Sequence, residues 1–66
     1  MNMTPQEKTK LQNIIDEVKA KEKKAFDSMT FLREHNFPFE ETATRLQYEA
    51  HHETRLILEM FRDNQL

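Results

Sequence analysis

The stretch Tyr48-Glu49-Ala50-His51-His52-Glu53-Thr54-Arg55 sets two adjacent histidines between two glutamates. Glu49 and His52 have the i, i+3 spacing by which a carboxylate and an imidazole on one helix reach a shared metal ion in carboxylate-bridged bundles. With Glu22 from elsewhere in the chain they would make a carboxylate–histidine ligand set. Tyr48, His51 and His52 also suit acid–base chemistry, because imidazole titrates near neutrality. No nucleophile, phosphate-binding turn or second catalytic cluster accompanies them, so the expectation is that the chain is not an enzyme.

Whether these side chains converge depends on the elements that hold them. The chain has 66 residues, with no cysteine, no glycine and 2 prolines, and 33% of it is charged. Domains this small bury little surface and usually lean on disulfides, a metal or a partner chain. The absence of cysteine removes the first. Without glycine, turns that need positive φ are scarce, which favours a few long helices. A net charge of −2 selects neither nucleic acid nor an anionic membrane as partner. The first residues hold no apolar signal core and no run approaches membrane-spanning length, so a cytoplasmic location with no membrane partner is expected.

Thr4-Pro5-Gln6-Glu7 reads as a helix start: a capping threonine, proline in the first turn, and glutamate to close a capping box. The pattern predicts a helix over 5–35, a loop at 36–37 and a helix over 38–63, in a single domain. In the first helix Leu11, Ile14, Val18, Ala25, Met29 and Leu32 form an apolar stripe ~60° wide, flanked by Ile15 and Phe26. Asn36 is the best left-handed cap available, and Pro38 suits the next helix start. In the second helix Phe39, Ala43, Leu46, Ala50, Ile57 and Phe61 share one face, flanked by Leu58 and Met60. The fold class is all-α. It is an antiparallel two-helix hairpin, expected to dimerise into a four-helix bundle because a lone hairpin leaves one side of each stripe wet.

Folding about Asn36 and Phe37 sets Lys21 and Glu22 across from His51–Glu53. Lys21, Glu22 and Glu53 are therefore the expected polar layer of the core, with Lys21–Glu53 the cross-helix pair. Taking Ala50 as the centre of its stripe, Glu49 lies ~100° to one side and His52 ~160° round on that side. Both look outward, beside Glu41 and Arg45, in what reads as a solvated salt-bridge ladder. No metal and no cofactor is assigned; Glu22, Glu49 and His52 are ligand candidates only if the Leu56–Met60 edge is a dimer seam. Phe31 points ~140° away from the first stripe, Phe37 and Phe39 flank the loop, and Leu56 lies at the margin of the second stripe. These four are the candidate anchors for a protein partner. Gln12, Lys19, Lys21, Lys23 and Lys24 are the candidate nucleic-acid residues, with Asp16, Glu17 and Asp27 among them.

Met3-Thr4-Pro5-Gln6-Glu7-Lys8-Thr9-Lys10-Leu11 resembles the opening of the Rop family of plasmid copy-number regulators, which are four-helix bundles. Leu46, Ala50, Arg55, Leu58, Phe61 and Asp63 fall at the mutual spacings that this family shows in its second helix. The resemblance implies a homodimer of hairpins that binds paired RNA hairpins through a basic face of the two first helices. The phenylalanine central to that face falls here on Asp16 or Glu17. One RNA-facing lysine falls on Pro5 and another on Asp27 or Ser28, a glutamine falls on Ala20 or Lys21, and Gln12 keeps an amide. Acids at such positions repel phosphate, so RNA is the disfavoured partner. The leading expectation is a small non-enzymatic regulatory or adaptor protein, a homodimer acting through protein–protein interaction. A Rop-like RNA-binding regulator is the alternative, and a carboxylate–histidine metal-binding bundle the third.

Overall fold

In the computed structural model, which describes residues 3–64, two helices pack side by side: α1, Pro5–Glu34, and α2, Pro38–Asp63. The backbone extends 48 × 15 × 12 Å, close to the ~45 Å that 30 residues of helix span. The described residues contain no strand, and no helix among them is long and apolar enough to cross a membrane.

The start of α1 is fixed by its capping box. The Glu7 amide donates to Thr4 Oγ1 at 3.1 Å and the Thr4 amide donates to Glu7 Oε1 at 2.9 Å. Two helix-start amides are thereby satisfied. The backbone amide of Thr4, with its side chain, holds the Glu7 carboxyl below its ordinary pKa. At the other end α1 stops at Glu34, one residue before the boundary read from the sequence. His35 is the C-cap, and Asn36 adopts φ 60°, the one left-handed residue among those described. The Phe37 amide reaches back to the Leu32 carbonyl at 2.9 Å and the Asn36 amide to Arg33 at 3.3 Å. That pair of bonds is the Schellman motif, built on asparagine where glycine is the usual choice. Pro38 then opens α2, where a missing N–H costs nothing.

The packing departs from the sequence expectation in one consequential way. Among the described residues the buried side chains are Leu11, Ile15, Ala25 and Met29, all from α1. None on α2 is buried. The side of α2 turned to α1 carries the half-buried Thr44, Tyr48, His52, Arg55, Leu58 and Glu59, centred ~150° from Ala50. The apolar stripe expected to face the core therefore faces out: Phe39 is 86% exposed, Leu46 63%, Ile57 59% and Phe61 51%. On α1 the contact is shifted as well. Ile15 is completely buried while Ile14 is exposed, a turn of ~35° about the helix axis relative to the expected stripe. The physical reason lies in the side chains that cross between the helices.

Candidate interaction surface

Four of the cross-helix contacts along one edge of the hairpin join pairs symmetric in sequence about Phe37, and together they form a seam. Arg33 Nε donates to Glu41 Oε2 at 2.7 Å. The Phe26 and Tyr48 rings pack with centroids 5.6 Å apart. His52 Nδ1 donates to Glu22 Oε2 at 3.1 Å, and Arg62 Nη1 donates to Gln12 Oε1 at 3.0 Å. Charge-assisted bonds of this kind are directional and stronger than neutral ones, so they fix which side of α2 meets α1. Tyr48, Arg55 and Arg62 carry enough hydrocarbon to cover α1's apolar stripe while their polar ends reach the edge.

The centre of the seam is Glu22. Its Oε2 accepts from both His52 Nδ1 and Arg55 Nε, the latter at 2.9 Å. Arg55 also donates to Glu59 from Nη1, an i, i+4 pair on α2. Burial pushes the Glu22 carboxyl up, but the hydrogen bond and charge of Arg55, with those of His52, outweigh it and hold the carboxyl below its ordinary pKa. The hydrogen bond that Arg55 donates to Glu22 raises the guanidinium in turn. Nearer the loop, the Arg33 hydrogen bond, with help from Arg45 at 3.2 Å, lowers Glu41. Among the described residues no polar or charged side chain is fully buried and no buried side-chain polar atom lacks a partner.

This geometry places the residues singled out from the sequence as follows. Glu22 does cross the hairpin, but to His52 and Arg55. Lys21 and Glu53 are both exposed, and the expected Lys21–Glu53 pair is absent from the ion pairs of the described residues. The ~35° turn of α1 that buries Ile15 carries Glu22 toward α2 and Lys21 away from the contact. Glu22 and His52 meet, as a shared metal would require, but Glu49 stays exposed on another side. No group of three or more ligating side chains occurs among the described residues. Arg55 takes the carboxylate oxygen that a cation would need, and its charge would repel one.

Phe31, Phe37, Phe39 and Leu56 all remain exposed. Phe31 is not entirely alone: its ring stacks on His35 at 4.1 Å between centroids. Phe37 forms the N-cap of α2 through its backbone. Lys19, Lys21, Lys23 and Lys24 are solvent-facing. Gln12 is engaged, donating to Asp16 at 3.0 Å and accepting from Arg62. Apolar periodicity does not pick out Tyr48, Arg55 and Arg62 as cross-helix residues. Their signal is charge and aromatic spacing mirrored about the loop, which a hydrophobic stripe does not register.

No family model, curated protein or solved structure matches the chain.

Proposed function

We propose that this chain is a non-enzymatic interaction module that works as a homodimer of helical hairpins, with protein as its partner class. The observation that supports the reading is the outward apolar face of α2. Six large apolar side chains, Phe39, Leu46, Leu56, Ile57, Met60 and Phe61, are exposed on one helix of a hairpin whose buried core comes from the other helix alone. Contiguous apolar surface of that size on a small chain marks an association site. The Rop-like opening block and the Rop-like spacings in α2 agree with such an architecture. In this reading Phe31 and Phe37, at the loop end and off the α2 stripe, are left to engage the protein partner, with Phe39 and Leu56 at the margin of the dimer. The first test is mass: light scattering should give a dimer at micromolar concentration, and a monomer throughout would refute the reading.

One observation favours a second reading. Lys21, Lys24, Ser28, Thr44, Gln47 and His51 line a groove of about 290 Å³ between the helices on the side away from the Glu22 seam. No carboxylate lines it, and phosphate oxygens could be met there by ammonium and amide donors. This is the RNA-binding alternative in its strongest form. Gel shifts with structured RNA at low and moderate salt test it, and an absence of any shift at low salt would remove it.

A further inference from the structure

We propose that α2 pairs antiparallel with α2 of a second copy, with Ala50 on the two-fold axis. The inference rests on the homodimer reading and specifies its geometry. Reversing α2 about Ala50 sets Phe39 against Phe61 of the second copy and Ala43 against its Ile57, while Ala50 meets Ala50. In the two Ala43–Ile57 layers, one on each side of the axis, a small residue receives a large one, and alanine at the centre lets the helix axes approach. A two-fold pairing of this kind uses the same patch on both copies and closes on itself. A parallel copy would stack Ala43 on Ala43 and leave a hollow layer.

The area agrees with a second copy as the occupant. Six large side chains, each exposing between 44% and 86% of itself, offer on the order of 700 Å². A stable interface needs about 800 Å² from each partner, and the two exposed alanines add to the total. One flank carries a residual cost. In an antiparallel pair each flank meets the same flank of the copy, so Glu49 and Glu53 of both chains gather along one rim. Arg45, the base nearest that rim, is already held by Glu41 at 3.2 Å.

Cysteine cross-linking in the full chain separates the possibilities. Ala50 and Ala43 are exposed and helical, so Ala50→Cys and Ala43→Cys should leave helicity unchanged by circular dichroism. On mild oxidation Ala50→Cys should become a covalent dimer, since only residues at the two-fold bring Cα atoms within disulfide range of their own copies. Ala43→Cys should stay monomeric on a denaturing gel but cross-link when mixed with Ile57→Cys. Self-cross-linking of Ala43→Cys as readily as Ala50→Cys would mean parallel pairing and overturn the proposal. Failure of both, in a chain that still sediments as a dimer, would overturn this seam and leave the homodimer standing. In an independent arm, Glu53→Gln should tighten the dimer about threefold by relieving like charges along the rim; a weakened dimer would contradict the rim.

Discussion

Ile15 carries the hairpin more than any other single residue described, because among those residues it alone is completely removed from water. Ile15→Ala should cost about 2–4 kcal/mol through lost transfer energy and the cavity left behind. The check is a urea midpoint at fixed protein concentration, and a loss below about 1 kcal/mol would mean that the helices do not meet along this line. Asn36 is a backbone residue in function. At φ 60° a β-branched side chain is strained, so Asn36→Val should cost about 1–2 kcal/mol. Asn36→Gly should be neutral or slightly stabilising in the same assay. Glu22 gives the structure an acid limit. Its folded pKa lies below the ordinary 4.5, so its contribution is complete above that value and fades as pH falls through the depressed one. Glu41 and Glu7 act with the same sign. Thermal midpoints should be level above about pH 5 and decline below about pH 4. Glu22→Gln should flatten part of that decline, and an unchanged acid profile would show that the Arg55–Glu22–His52 contacts do not persist in solution.

At the scale of the elements, the two helices and their joint were legible because local rules decide them. Thr4, Pro5 and Glu7 declare a helix start, and Asn36-Phe37-Pro38 declares a stop and a restart; the observed boundaries differ from that reading by a single residue at His35. The height of the cross-helix contacts was legible too, since folding about the loop fixes that Glu22 stands level with His52. The rotation of each helix was not. Apolar periodicity reports that α2 has a face to bury, but it is silent on which neighbour buries it. Here the face with the apolar stripe and the face turned to α1 lie nearly opposite, and the second is chosen by Arg55, Tyr48 and Arg62 finding partners on α1. Glu22 belonged to the expected polar layer, whereas Lys21–Glu53 did not form, because a rotation of tens of degrees exchanges neighbouring positions on a helix. The separation of faces yields its own prediction. Ile57→Asp should retain the hairpin, read as unchanged helical signal at high concentration, while shifting dimer dissociation at least tenfold upward. Loss of helicity at concentrations where the variant still sediments as a dimer would instead show that Ile57 supports the hairpin itself.

At the scale of the whole molecule, the hairpin is a thin object, 48 Å long and little more than one helix deep. Chains of this size are marginal unless something outside the monomer's own core contributes. With no cysteine and, among the described residues, only four buried apolar side chains, all on α1, that contribution is assigned to a second copy on the open face of α2. The balance of charges fits an association driven by apolar contact, with electrostatics governing orientation more than affinity. Sedimentation equilibrium from micromolar to millimolar concentration is the most direct measurement of this claim. The account predicts a species of twice the 8.0 kDa chain mass, dissociating only on dilution. A single 8.0 kDa species across the whole range would contradict it.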